Sequence, residues 1–296
     1  MLIVGVIILS LQDSLIKYMA SETSFWQLQF IRSIGNIILL FLIAKLTNGI
    51  DILFPIKWKP VYLRALTMTT CMFCFFAASP KLSFAQMAAG LYTFPIFVSF
   101  LAVIFLNERV GVWRFFSLII GSVGALLILE PWSKNFTYLQ FLPIMAGFFF
   151  ACNIILIRKY CREESVMSLT LAVGVMFFIS ALLGILFFEL IFQNNFLKEI
   201  SPFVFIGWPS LTLIIFTFCF SCSILNIIGN ILLAKAYQTA ESSWLAPMDY
   251  SYLVFAAIWG KIFFGVWPTL LNLIGMFFIA FSGILIAVRE QRKNEA

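Results

Sequence analysis

The sequence predicts an all-α, polytopic membrane protein whose ten transmembrane helices form two inverted five-helix repeats. Three observations carry that prediction. Hydrophobic residues make up 62% of the chain and charged ones 11%, and the mean hydropathy is +1.04, far outside the range of a water-soluble domain. Charges, prolines and polar clusters cut the chain into apolar runs of roughly 18 to 24 residues, the length that crosses a hydrocarbon core. Lysine and arginine fall unevenly on the two sides that these runs define.

The elements follow in order. The first run, 2–19, starts at once, with no charged leader and no small-residue cleavage site, so it reads as a retained helix and not a signal peptide. The second, 26–46, follows the polar stretch SETS (Ser21 to Ser24); the third, 60–79, lies between the Lys57–Lys59 cluster and Pro80. Runs 84–106 and 112–129 complete the first repeat, residues 1–130, and Pro131 and Trp132 begin a connector. Runs 139–158, 168–191, 208–233, 241–262 and 268–288 make the second repeat, residues 138–289, followed by a charged cytoplasmic tail, 290–296. The loops are too short to hold a soluble catalytic domain.

With the amino terminus in the cytoplasm, thirteen basic residues, Arg64 among them, fall on the inner side and five on the outer, while Arg32 lies within a span. The net charge of +6 is therefore topology and not a nucleic-acid surface, and both termini are expected on the cytoplasmic side of the cell (inner) membrane. Five spans per half turn the second half upside down. Gly5, Lys17, Tyr18 and Glu22 recur at a constant shift as Gly147, Lys159, Tyr160 and Glu164. Ala77 and Ala234 mark similar helix ends, and Gly121 and Gly124 have counterparts in Gly275 and Gly283. Two such bundles can rock about a midplane site and open it to each face in turn, so transport is the leading reading.

The stretches LYTFPIFVSFLAVIFLNERVGVWR (Leu91 to Arg114) and APMDYSYLVFAAIWGKIFFGVWP (Ala246 to Pro268) resemble the EamA branch of the drug/metabolite transporter superfamily. The likeness covers essentially the whole chain. DSLIKYMASETSFWQLQFIRS (Asp13 to Ser33) is similar to the members that include S-adenosylmethionine and riboflavin carriers. The family pattern usually places an acidic residue after the Phe-Gly of the ninth span, where this chain has Val266; Glu108 keeps the equivalent in the first half.

Polar residues inside the spans are the candidate site, because intramembrane charges generally face a cavity. Asp13 and Arg32 fall at similar depth and are expected to pair, either as a neutralised structural couple or as a substrate contact or outer gate, with Gln12 and Asn36 beside them. Asp249 lacks a basic partner in its own span and follows Pro247, which frees a carbonyl; Tyr92, Thr93 and Pro95 form a parallel arrangement in span four. Asp249 either lines the cavity or is a paired or protonated structural acid. Asn226 and Asn230 share one helix face, and for them and for Asn153 helix–helix hydrogen bonding competes with ligand contact. Tyr92, Tyr250, Trp244 and Trp259 would stack on a flat ligand or simply pack. The two Cys-x-x-Cys pairs, Cys71 with Cys74 and Cys219 with Cys222, lie in apolar spans of a chain without histidine and are expected to pack as small apolar residues.

These residues predict a secondary transporter that moves a small polar or amphipathic metabolite (amino acid derivative, S-adenosylmethionine-like or vitamin-like) by alternating access. Its substrate-binding residues are Asp13, Arg32, Tyr92, Asn153, Asn226, Asp249 and Tyr250, on a cavity lined by spans one, two, four, six, eight and nine. Its partners are the small-molecule substrate, the lipid bilayer and a coupling proton or counter-substrate; no cofactor, metal, nucleic acid or catalytic residue is expected. The alternatives are a membrane-embedded enzyme acting on a lipid-linked substrate, for which clustered Asp or His is missing, and a passive channel.

Overall fold

The computed structural model describes residues 1–47, 49–107, 112–130, 132–133, 137–192, 198–199, 201–239 and 248–294. Glu108, Pro131, Trp244 and Pro247 lie outside these residues. Among the described residues the chain is helical, without a strand: α1 (Leu2–Met19), α2 (Phe25–Leu46), α3 (Trp58–Ala77), α4 (Phe84–Leu91), α5 (Phe94–Leu106), α6 (Val112–Leu129), α7 (Phe141–Tyr160), α8 (Val166–Leu186), α9 (Pro202–Phe205), α10 (Leu213–Thr239), α11 (Ser251–Phe264) and α12 (Leu270–Asn294). Among the described residues seven helical stretches are long and apolar enough to cross a membrane, with α4 and α5 together forming one of them; three more, Phe115–Leu129, Ser251–Phe264 and Leu270–Leu285, are apolar and shorter. Large apolar side chains such as Phe100, Leu183 and Phe277 are more than half exposed, as lipid-facing residues of a multi-pass membrane protein would be.

Several boundaries move for local reasons. Span four is not continuous: it breaks at Tyr92–Thr93, and α5 restarts with a proline in its first turn. The eighth span begins later than expected, after Pro209, and runs on to Thr239. The helix α8 ends in a π turn, Phe187–Ile191, after which the Glu189 carboxylate accepts from the Trp208 amide at 2.7 Å. The α9 turn was not visible in the apolar pattern.

The principal packing partners are α6 with α12, α2 with α8, α4 with α11, α1 with α10 and α11, α7 with α3, α4 and α5, α2 with α10, and α3 with α8. Exchanging α1 for α7, α2 for α8, α3 for α10, α4–α5 for α11 and α6 for α12 returns the same set. Side chains repeat the pattern. Ser24 caps α2, accepting from the Gln27 amide at 3.1 Å and donating to the Gly207 carbonyl at 2.8 Å. Ser165 caps α8, accepting from the Ser168 amide at 2.9 Å and donating to the Ile52 carbonyl at 2.5 Å. Each cap thus satisfies an orphan helical donor and ties its helix to a loop of the other half. Lys17 lies over the Phe264 ring at 5.1 Å and Lys159 over the Phe105 ring at 5.9 Å.

The two ends of the bundle differ. Phe25, Phe75, Phe76, Phe84 and Phe203 are fully buried at the end where α1 finishes, with Phe25 edge-on to Phe203 at 6.1 Å. At the end where α1 begins, Gly5 packs against Gly229 and Leu233 of α10, and the interior beside them is open enough to hold a cavity.

Candidate functional site

Two interrupted helices cross at their breaks. Ser83 and Gln86 form a capping box that fixes the start of α4, and the helix opens at Tyr92–Thr93. In the second half, Met248 and Asp249 are helical, the chain turns at Tyr250, and α11 resumes at Ser251. Tyr92 Oη donates to the Asp249 backbone carbonyl at 3.0 Å, so the hydroxyl of one break satisfies a carbonyl of the other. The rings of Tyr92 and Tyr252 stack with centroids 5.2 Å apart, and Tyr250 lies 5.6 Å from Tyr92.

Below this crossing is a cavity of about 260 Å³ that runs toward the end where α1 begins. Its polar wall comprises Gln12 and Asp13 from α1, Arg32 and Asn36 from α2, Arg64 from α3, Tyr92, Thr170 from α8, Asn226 and Asn230 from α10, and Asp249 and Tyr252. Val6, Leu9, Met68, Met72, Phe94, Phe150 and Phe177 are among the apolar residues that complete it. Such a surface, mostly apolar with a few convergent polar groups, is the usual form of a small-molecule site.

The charged groups are held separately. Asp13 accepts from Tyr252 Oη at 2.6 Å and from Gln12 Nε2 at 2.8 Å. Arg32 is 4% exposed; its Nη1 reaches Gln29 Oε1 at 3.5 Å and its Nε has no partner. The expected Asp13–Arg32 ion pair is corrected accordingly: the two side chains make no contact within ion-pair distance, because the tyrosine of α11 takes the Asp13 carboxylate. Ser223 Oγ donates to the Arg32 carbonyl at 3.0 Å and packs on Gly35, fixing α2 against α10. Asn36 donates to Asn226 Oδ1 at a long 3.4 Å, and Asn230 donates to the Asn226 carbonyl at 2.8 Å.

Of the sequence-predicted residues, Asp13, Arg32, Tyr92, Asn226 and Asp249 lie on the cavity wall. Asn153 and Tyr250 do not. Asn153 is buried in α7, and Tyr250 is buried with its hydroxyl in the space left by Gly283, where any Cβ would collide. The wall also takes in α3 and α8, beyond the spans expected. Tyr252, and not Tyr250, is the tyrosine that α11 gives to the wall. Arg64, counted in the sequence only toward the inner-side charge, lies in α3 within the expected third span, half-buried, donating from Nη1 to the Leu169 carbonyl at 2.8 Å. A helical stripe of Arg64, Met68 and Met72 at four-residue spacing was the signal for it. The six cysteines are free, and five are buried, in keeping with a packing role.

Apolar helices thus surround a cavity walled by charged residues and tyrosines. Comparison with known proteins shows what the chain is similar to. Residues 1–130 match the EamA-like transporter family. The chain is 25% identical over 209 residues to a riboflavin transporter of Vibrio cholerae serotype O1, covering 71% of this chain and 64% of that protein, less than two thirds of its length. It is 26% identical over 207 residues to an S-adenosylmethionine uptake transporter of Rickettsia bellii, 68% of this chain and 62% of that one. Over 281 residues it is 21% identical to the pseudopaline exporter CntI of Pseudomonas aeruginosa, covering 94% and 89% of the two chains. One solved crystal structure shares the fold with a TM-score of 0.50 at 15% identity, across 97% of this chain and 98% of that chain. These matches bear out the resemblance to EamA-like transporters of the drug/metabolite transporter superfamily.

Proposed function

We propose that the protein is a secondary transporter that moves a small polar or amphipathic metabolite across the inner membrane by alternating access. The observation that carries this reading is the charged cavity hung beneath two crossed, interrupted helices, the arrangement in which carriers hold substrate at the midplane. The reading takes residues 1–130 and 138–289 as inverted five-helix repeats; the exchange of packing partners and the matched Ser24 and Ser165 caps support it. Arg32 offers a fixed fork to a carboxylate, Asp249 meets an amine, a sulfonium or a proton, and Tyr92 with Tyr252 floors the site for a flat or apolar group. Tyr250 packs behind this wall, against Tyr92. The similar proteins are named for riboflavin, S-adenosylmethionine and pseudopaline, polar or amphipathic small molecules of the kind proposed here.

The distribution of basic residues supports cytoplasmic termini, and on that reading this is an inward-facing state sealed on the outer side by the phenylalanine cluster. Lys17 closes that seal: its Nζ donates to the carbonyls of Ser79 and, at 2.7 Å, Leu82, and lies over Phe264. Replacing Lys17 with Met strands those carbonyls and should loosen the outer face. In a Met72→Cys background, labelling by an impermeant thiol reagent added from outside is expected to rise several-fold; an unchanged rate would remove Lys17 from the seal.

Uptake by proteoliposomes tests the function itself. A carrier shows saturable uptake and counterflow of one compound from a panel of riboflavin, S-adenosylmethionine, amino acids and quaternary amines. Ion current without saturation would establish a channel instead, and chemical conversion without transport an embedded enzyme.

A further inference from the structure

We propose that Arg64 is a second anion anchor, set at the mouth of the cavity, so that the transported molecule presents a carboxylate or phosphate toward the face where α1 begins. This rests on the carrier reading above and names the substrate chemistry more closely.

Arg64 lines the same cavity as Arg32, on the wall contributed by α3. The bond from Nη1 to the Leu169 carbonyl fixes its guanidinium plane. Its Nε is buried without a partner, as is that of Arg32. Among the described residues no carboxylate lies within ion-pair distance of either arginine. A guanidinium is a permanent cation with five donors and no acceptor. Two such groups on the wall of one cavity, neither with a carboxylate at ion-pair distance, therefore suit an anionic guest, which planar guanidinium groups bind bidentately.

Depth separates the two anchors' roles. Cys71 of α3 is within electrostatic reach of Asp13, and Arg64 is seven residues nearer the start of that helix, roughly 10 Å away along its axis. Met68 and Met72 fill the wall between, a soft surface that accommodates varied apolar shapes. The cavity thus reads a molecule with one anionic end at Arg64, an apolar middle against the methionines, and a polar or cationic end beneath the tyrosines. A neutral flavin uses the middle and leaves Arg64 without an acceptor.

Matched pairs of ligands test this on the purified full chain by calorimetric titration. S-adenosylmethionine is compared with its decarboxylated analogue, and flavin mononucleotide with riboflavin, so that carboxylate and phosphate are separate arms. In at least one pair the anionic member is expected to bind roughly tenfold more tightly, the scale of one charge-assisted hydrogen bond. Arg64→Gln should erase that difference while leaving the affinity of the member without the anion unchanged, and Arg64→Lys, which keeps the charge and serves as the folding control, should restore part of it. Equal affinities within both pairs, or an Arg64→Gln loss shared by both members of a pair, would overturn the assignment. Saturable uptake that stays intact while neither anionic member binds more tightly than its neutral partner would overturn the anion anchor and leave the carrier reading standing. Failure of every ligand to bind a protein that still melts cooperatively would overturn both.

Discussion

Alanine at both Arg32 and Asp249 is expected to abolish uptake while the protein stays folded and monodisperse in detergent. The separation of those two outcomes follows from how the charges are held. Removing one member of a buried ion pair usually strands the other and costs about 3–5 kcal/mol. Here the Asp13 carboxylate keeps its bonds from Tyr252 and Gln12 when Arg32 is truncated, and the helix contact from Ser223 runs to the Arg32 backbone, which alanine retains. The Tyr92 bond likewise ends on the Asp249 backbone carbonyl, so the crossing of the two breaks does not depend on that side chain. A ligand, by contrast, loses a charged partner at each position, worth about 1.5–3 kcal/mol apiece, which is on the order of a hundredfold to ten-thousandfold in kcat/KM for the pair. Initial uptake rates, read beside a size-exclusion profile and a thermal melt, check both halves. Unchanged kinetics in a well-folded double variant would remove these residues from the site, and a variant that fails to fold would return Arg32 to a structural role.

What the sequence made legible depended on the length over which each signal was averaged. Membrane spans are signalled by about twenty residues each, so the helical architecture and most boundaries were readable from apolar runs. The break in span four was marked by Pro95, a residue with a definite backbone consequence, and the structure opens the helix two residues before it. Pairings between helices have no such redundancy. Asp13 and Arg32 were matched by depth alone, but depth leaves rotation about two helix axes undetermined, and Tyr252 from a third helix took the carboxylate. Tyr250 and Tyr252 differ by two residues, about 200° of helical rotation, so one faces Gly283 and the other the cavity. Arg64 was missed as a cavity residue because counting basic residues by side says nothing of which helix face a charge within a span occupies. Its stripe with Met68 and Met72 marks that face, and periodicity of single polar groups within a span is the pattern to weigh.

The second large effect belongs to the crossing of α6 and α12, where Gly124→Leu is expected to prevent correct assembly. A Cβ at Gly124 would sit 2.7 Å from the Gly275 carbonyl oxygen, and one at Gly275 would sit 2.7 Å from the Gly124 carbonyl oxygen. Both obstacles are backbone, so no rotamer change relieves them and the helices must separate. In lipid, helices gain little from hiding apolar surface and associate through close packing, which small residues at the crossing make available. Separating α6 from α12 removes most of what holds each in place, since each is the other's main partner. The cost should exceed about 3 kcal/mol, the upper part of the range for overpacked cores. Gly260→Ala supplies the contrast, because its nearest obstacle, the Val266 carbonyl, is 3.5 Å away, an ordinary contact. Within a helix that change should leave stability unaltered or raise it by about 0.5–1 kcal/mol. Fluorescence-detected size exclusion and melting of the three proteins side by side would decide the matter. A monodisperse Gly124→Leu protein with an unshifted melt would mean that α6 and α12 do not approach this closely in the membrane.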